Sequence, residues 1–119
     1  RWYDFWTHTS LEGGHTHTVY AGLDAIPVFV REGAIVPLAE PLPFVADDAV
    51  FDLTVHTYGP DCRPLALIDD DGTTYSAAPY EPATLTLSHN AAAPEKTRHK
   101  GASTRSRYTI RGWAHHGAI

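Results

Sequence analysis

The sequence predicts an all-β fold, an antiparallel β-sandwich of short strands. Apolar and polar residues alternate at 51–56 and again at 83–88, which is the two-residue period of a strand with one buried face. Residues 26–38 hold two short apolar runs rich in β-branched residues, and both are too short for a convincing helix. Nine glycines and nine prolines in 119 residues supply many turns, which suits a sandwich better than a helical bundle.

The composition argues against several classes of partner. The formal net charge of −5 disfavours a general affinity for nucleic acid or for an anionic membrane. No apolar run approaches the roughly 20 residues that a membrane helix needs, and no basic-then-apolar leader is present. Cys62 is the only cysteine, so no internal disulfide can form, and the compartment stays unassigned. The abrupt aromatic opening at 1–6 is typical of a fragment.

Four strands are predicted in the first 40 residues. Residues 2–6 form the first, with aromatic side chains on both faces. Residues 15–21 alternate by residue type and are predicted as the second. The apolar runs at 26–30 and 34–38 form a central pair, connected at Gly33, which can adopt the positive φ of a tight turn.

The rest of the chain is predicted to be a further set of strands. Residues 41–48, with two prolines and an acidic pair, are predicted as a linker between two β units. Asp71-Gly72 is a hairpin signal. The polar stretch 89–106 is predicted as a solvated loop, because no aromatic residues interleave its basic ones as in a nucleic-acid site. His115-His116 falls in a predicted polar tail. The predicted strands are 51–56, 65–68, 73–75, 83–88 and 108–110. The basic cluster of the loop comprises Lys96, Arg98, Lys100 and Arg105.

Three motifs follow one another in the first 38 residues with one continuous spacing. They read Trp2-Tyr3-Asp4-Phe5-Trp6-Thr7, then Glu12-Gly13-Gly14, then Leu23-Asp24-Ala25-Ile26-Pro27-Val28-Phe29-Val30-Arg31-Glu32-Gly33. This pattern closely resembles the proximal C-terminal β-domain of family 31 glycoside hydrolases, the α-glucosidase and α-xylosidase group. Residues 67–75 resemble a hairpin of the family's distal β-sandwich, with Ile68-Asp69 where Tyr-Glu is usual.

The resemblance implies a domain plan and a role. Residues 1–40 would be part of the proximal C-terminal β-domain, 41–48 a linker, and 49–119 a distal β-sandwich-like domain. The implied role is that of a non-catalytic accessory region docked beside the catalytic barrel of its parent. That parent would hydrolyse α-glucosidic or α-xylosidic bonds without a cofactor. The alternative is a free-standing carbohydrate-binding β-sandwich, which an aromatic groove for oligosaccharide would favour over a flat apolar face.

No catalytic, cofactor-binding or metal-binding residue is predicted in this chain. Retaining glycosidases need two carboxyl groups about 5 to 5.5 Å apart. None of the 14 acidic residues lies in anything like the family's catalytic motifs, which belong to a barrel of roughly 250 residues. An isolated acid pair at Asp69 and Asp71 would need a pocket that a hairpin tip rarely provides.

Two clusters raise the question of a metal site. His15 and His17 project to one side of the predicted strand, where they could share a metal ion, with His8 as a third ligand. Their threonine neighbours offer no supporting carboxylate, so a strand surface is the preferred interpretation. The run 69–72 could attract Ca²⁺, but it lacks the ligand spacing of a calcium loop, which favours a turn.

The aromatic residues of 2–6 and Trp113 could stack on sugar rings. Aromatic residues in a dense β-pattern are more often core or interface, and that is the preferred interpretation for 2–6. In the resembling enzymes a further strand precedes this segment. Without it we expect an unpaired strand edge and self-association of the chain.

Overall fold

The computed structural model describes residues 1–69, 83–92, 96–100 and 107–117. Within these ranges every regular element is a strand and none is a helix, which confirms the predicted all-β fold. No helix that could cross a membrane is found in this part of the chain. The strands are β1 (Trp2–Asp4), β2 (Ser10–Leu11), β3 (Phe29–Arg31), β4 (Ile35–Ala39), β5 (Phe51–Tyr58), β6 (Cys62–Asp69), β7 (Ala83–His89), β8 (Lys96–Lys100) and β9 (Tyr108–His116).

The described strands form three sheets of three strands each. The first sheet has the order β2-β1-β3, the middle sheet β4-β5-β9, and the third sheet β6-β7-β8. Neighbouring strands are antiparallel except β5 and β9, which run parallel, with a register shift between Leu53 and Thr54. The parallel pair makes the middle sheet a mixed one, whereas the sequence predicts an antiparallel sandwich.

The middle sheet is covered on both faces, because its strands send alternate side chains to opposite sides. Ile35 of β4 and Val55 of β5 pack on Leu85 and Leu87 of the third sheet, and Val55 and Leu87 are fully buried. The opposite face has its own core cluster. Its buried members are Tyr3, Val30 and Tyr58. Since two cores share one sheet, β5 contributes buried side chains to both.

The connection between β3 and β4 moves the chain from one sheet to the next. Gly33 has a φ of 88°, as the predicted tight turn requires, and the N–H of Ala34 donates to the carbonyl of Arg31 at 3.1 Å. The N–H of Gly33 also donates to the carbonyl of Tyr58 at 2.7 Å. The two apolar runs are therefore strands of different sheets and do not pair with one another.

The segment 41–48 connects two strands that pair in one sheet. β4 lies before it and β5 after it, in register from Ile35 opposite Thr57 to Ala39 opposite Leu53. The division of the chain into units at this segment stays a prediction. Of the predicted hairpin at 69–75, residues 70–75 lie outside the described residues, and with them Asp71 of the considered acid pair. Arg105 of the basic cluster also lies outside them.

Two strand predictions are wrong in the first 40 residues. Residues 15–21 form no strand and are exposed, because histidine and threonine are both polar and neither face gains from burial. Residues 26–28 precede β3 and are exposed, since the pairing with β1 covers only Phe29–Arg31. The predicted unpaired edge at β1 is also wrong, because β2 and β3 pair with its two sides.

Two predictions on the C-terminal side are also wrong. The predicted loop at 89–106 contains β8, which pairs with β7 and takes up three residues of the basic cluster. Basic residues are common on an edge strand, where they discourage further pairing. The predicted polar tail belongs to β9, which continues past Ile110 to His116 because β5 offers it a pairing edge over its whole length.

Candidate docking surface

The turn after β1 is held by the carboxylate of Asp4. Its Oδ1 accepts the backbone N–H groups of Trp6 and Thr7, each at 2.8 Å. The N–H of Asp4 donates to the carbonyl of Thr9 at 2.9 Å, and His8 adopts a left-handed φ of 60°. The Thr7 backbone N–H is the main cause of the lowered pKa of Asp4, and the neighbouring His8 adds to it. The acidic residue in the Trp-Tyr-Asp-Phe-Trp-Thr motif is thus a structural one.

Trp6 fixes this turn to the segment that precedes β3. Its indole Nε1 donates to the carbonyl of Ile26 at 2.9 Å, and its ring meets Phe5 edge-to-face with centroids 5.0 Å apart. The N–H of Phe5 donates to the carbonyl of Val28 at 2.9 Å. The Trp6 side chain nevertheless remains 62% exposed. Trp6 therefore positions the segment without becoming part of a core.

That segment presents large apolar side chains to solvent. Tyr20 is 95% exposed, Ile26 75%, and Leu23 is fully exposed. We call this set the apolar strip; its members are Trp6, Val19, Tyr20, Leu23, Ile26 and Val28. Single exposed apolar residues are normal, whereas a concentration of exposed apolar residues in one segment is typical of an interaction surface.

A cavity of about 320 Å³ adjoins the apolar strip at Val19. Trp2 and Phe29 provide its aromatic walls, and residues 11–15, His17 and Val19 complete the lining. The Arg1 Nε lies 3.1 Å from Glu12 Oε1 in an exposed ion pair, which contributes little to stability. The cavity combines aromatic rings with polar groups.

The three histidines considered as metal ligands, His8, His15 and His17, are not brought together. His17 Nε2 lies 2.8 Å from the carbonyl oxygen of Glu12, beside the cavity, whereas His8 stacks on the middle sheet. The described part of the chain holds no group of three or more histidine, cysteine, aspartate or glutamate side chains arranged for a metal ion.

Burial raises the pKa of the Cys62 thiol, whose sulfur lies near the carbonyl of Tyr58 at 3.7 Å.

Tyr3 joins the first sheet to the middle sheet. Its side chain is 1% exposed, its ring lies 5.6 Å from that of Tyr58, and its hydroxyl donates to Glu32 Oε2 at 2.9 Å. Burial, together with Glu32, raises the pKa of Tyr3. Gly117 packs so closely over Tyr3 that a Cβ atom there would overlap the hydroxyl oxygen. Of the aromatic residues in 2–6, Tyr3 is therefore core, whereas Trp2 is 42% exposed and Trp6 62% exposed, so neither is core.

Sequence reasoning missed a cluster of three imidazoles, His8, His56 and His116, which we call the histidine stack. The rings of His8 and His116 are stacked with centroids 3.7 Å apart, and His56 Nδ1 lies 2.9 Å from His116 Nε2. Burial, followed by the charge of His8, lowers the pKa of His56. Burial and then the neighbouring histidines lower the pKa of His116 to about 4. The pairing of β5 with β9 creates this cluster, so no pattern within a short stretch of the sequence predicts it.

Comparison with known proteins assigns the motifs around the turn. The family model for the glycosyl hydrolase family 31 C-terminal domain matches residues 1–36. An alpha-xylosidase of Saccharolobus solfataricus is 42% identical over 74 residues, which is 62% of this chain and 10% of that protein. "Alpha-glucosidase 2" of Bacillus thermoamyloliquefaciens is 34% identical over 77 residues, which is 63% of this chain and 10% of that protein.

A third relative is shorter in its match. An isomaltosyltransferase of Sporosarcina globispora is 46% identical over 37 residues, which is 31% of this chain and 3% of that protein. The chain spans about a tenth of the length of the first two relatives. The matched residues include the turn that Asp4 and Trp6 organise, and the resemblance predicted from those motifs is confirmed. Residues 1–36 therefore match the C-terminal domain of glycosyl hydrolase family 31, and the alignments with the alpha-xylosidase and the alpha-glucosidase extend this similarity over 62% and 63% of the chain.

Proposed function

We propose that this chain is a non-catalytic accessory region of a family 31 glycoside hydrolase and docks through the apolar strip against the catalytic barrel of its parent. The strip carries the proposal, because it concentrates exposed apolar side chains next to the motifs that define the family. The relatives are about ten times longer than their match to this chain, so they provide ample chain to cover such a surface.

The chemistry of the strip defines the kind of partner. Leu23, Tyr20 and Ile26 offer no charge, so the facing surface of the barrel should be apolar and should exclude water. Trp6 and Tyr20 are residue types that dominate the energy of interfaces. An interface of ordinary size buries about 800 Å² on each partner. From the relatives, we further propose that the parent hydrolyses α-glucosidic or α-xylosidic bonds.

The structure of the turn gives the interface rigidity. Asp4 fixes the turn, and Trp6 fixes the segment at Ile26 through its indole N–H. Since these contacts exist in the chain alone, less conformational entropy is lost when the strip meets its partner. The proposed role of the motif is to present the strip in one orientation.

Leu23→Asp in the intact parent enzyme tests the docking. Leu23 is fully exposed in this chain, so the substitution should leave the stability of the isolated chain unchanged. In the parent it should bury a charge at the interface and lower the temperature at which α-glucosidase or α-xylosidase activity is lost. Ile68→Asp is the matched control, because Ile68 is 62% exposed and belongs to the third sheet, whereas the strip adjoins β1 and β3 of the first sheet.

Two outcomes would contradict the proposal. Equal inactivation temperatures for Leu23→Asp and Ile68→Asp in the parent would show that the strip is not part of the interface. Turnover of an aryl α-glucoside by the purified isolated chain, abolished by substitution of one of its own acidic residues, would show that the chain is catalytic.

A second candidate is carbohydrate binding at the cavity beside the strip. The observation that favours it is the exposed indole of Trp2 next to Phe29 and the polar groups of Glu12, His15 and His17. Titration of the isolated chain with a malto-oligosaccharide, followed by tryptophan fluorescence, separates the two functions. Saturable binding that is lost in Trp2→Ala and kept in Trp6→Ala would support a sugar-binding module.

A further inference from the structure

The middle sheet carries stacked imidazole rings on both faces. His115 and His116 are adjacent in β9, so strand alternation sends one ring to each side. His116 joins the histidine stack on the face toward the first sheet. His115 stacks on His89 of the third sheet with centroids 4.4 Å apart, and its Nδ1 lies 2.7 Å from Thr57 Oγ1. Imidazoles therefore bridge all three sheets.

The contacts within the histidine stack require neutral imidazole rings. The hydrogen bond between His56 Nδ1 and His116 Nε2 needs one nitrogen that carries a hydrogen and one that offers a lone pair. Two imidazolium rings present only N–H groups to each other and cannot form it. A charged His8 would lie 3.7 Å from the ring of His116, where a second positive charge is repelled.

The groups around the stack offset only part of such a charge. The Asp4 carboxylate lies on the same turn as His8 and interacts with it electrostatically. The hydroxyl of Tyr58 lies 3.5 Å from His8 Nδ1, and burial raises the pKa of Tyr58, which keeps it neutral. Glu32 is engaged by the Tyr3 hydroxyl. One carboxylate can therefore balance one imidazolium, but not three.

We propose that the histidine stack is a proton-sensitive contact that holds the first sheet on the middle sheet at neutral pH and releases it on acidification. His8 belongs to the turn of the first sheet, whereas His56 and His116 belong to β5 and β9. Protonation sets His8 of the first sheet against two imidazoles of the middle sheet by charge repulsion, and it breaks the hydrogen bond between His56 and His116 within the middle sheet. This response to pH is independent of docking through the apolar strip.

The direction of the pH dependence follows from proton linkage. In the folded chain the pKa of His116 is about 4, below its ordinary value of 6.5. Below pH 6.5 the unfolded chain binds more protons than the folded one, so stability falls as the pH falls toward 4. The pKa of His56 is displaced in the same direction and adds to the loss. With screening by solvent, we expect the unfolding equilibrium constant to rise about tenfold between pH 7 and pH 5.

The test compares urea unfolding of the isolated chain at pH 7 and pH 5. The variant His8→Asn, His56→Gln, His116→Gln removes the three imidazoles of the histidine stack, and asparagine tolerates the left-handed φ of residue 8. We expect this variant to lose most of the pH dependence. His15→Gln is the control, since His15 is exposed and lies outside both clusters, and it should keep the wild-type dependence. Equal pH dependence in wild type and triple variant would overturn the proposal.

A second measurement needs no variant of the stack. In the wild-type chain, the ring signals of His116 in ¹H–¹³C spectra should report proton uptake near pH 4, accompanied by shifts in Tyr3 and Tyr58. Proton uptake by His116 near pH 6.5, with the signals of the two tyrosines unchanged, would also overturn the proposal, even where the triple variant fails to fold.

Discussion

Replacement of Gly117 by alanine tests the contact between the end of β9 and the first sheet. Gly117 has a φ of 68°, and the left-handed region costs an L-residue about 1 kcal/mol. The added Cβ would also lie 2.5 Å from Cε1 and 2.6 Å from Cζ of Tyr3, closer than real Cβ atoms approach carbon. Moving the buried Tyr3 ring costs about 1 kcal/mol in packing, and about 1 kcal/mol more if its hydroxyl leaves Glu32. We expect a loss of about 3 kcal/mol.

The measurement is thermal and urea unfolding of the isolated chain beside a matched control. Gly14→Ala carries a similar left-handed φ of 78°, but its Cβ would meet nothing within 4 Å, so it isolates the backbone cost. A loss of 3 kcal/mol lowers Tm by about 12 °C in a domain of this size, against about 4 °C for the loss of about 1 kcal/mol in the control. Equal losses in the two variants would refute the close packing of Gly117 on Tyr3.

Three further expectations follow from the same contacts. Leu87→Ala should lower the free energy of unfolding by about 3 kcal/mol, because Leu87 is fully buried between two sheets, whereas Ile68→Ala should cost less than about 1 kcal/mol; equal losses would contradict the core assignment. Stoichiometric Zn²⁺ should leave Tm unchanged, since a native-state site would add about 2.7 kcal/mol at a hundred times its dissociation constant; a rise that is lost in His17→Ala would contradict this. The isolated chain should self-associate through the apolar strip, with a smaller mass by light scattering for Leu23→Asp; a wild-type monomer at high concentration would contradict this.

The sequence predicts strands well where one face is apolar and the other polar. At 51–56, Leu53 and Val55 are buried while Asp52 is exposed, and the alternation predicts β5. The same reasoning fails at 15–21, where residue type alternates but polarity does not. It also misses the end of β9, because residues 111–116 show no alternation of apolar and polar residue types although the strand continues to His116.

The candidate surfaces differ in how far they could be predicted. Of the apolar strip, the sequence predicts only the exposure of Trp6, because residues 15–21 and 26–30 are expected to be strands. The exposure of Ile26 could not be read from an apolar run, since such a run looks the same whether solvent or a core covers it. The histidine stack depends on which strands become neighbours, and the partners His56 and His116 lie far apart in the chain.

The parallel pairing of β5 with β9 has a consequence for how the chain acquires its structure during synthesis. Thr57 and His115 are neighbours although 58 residues separate them. Antiparallel hairpins can form as soon as both strands leave the ribosome, whereas the middle sheet must wait until its closing strand has been translated. The chain loses conformational entropy when this long loop closes, before it gains the burial of the two core clusters. This order of events makes the step slow. Until then one edge of β5 lacks its partner strand, so nascent chains that stall before β9 should be substrates for chaperones.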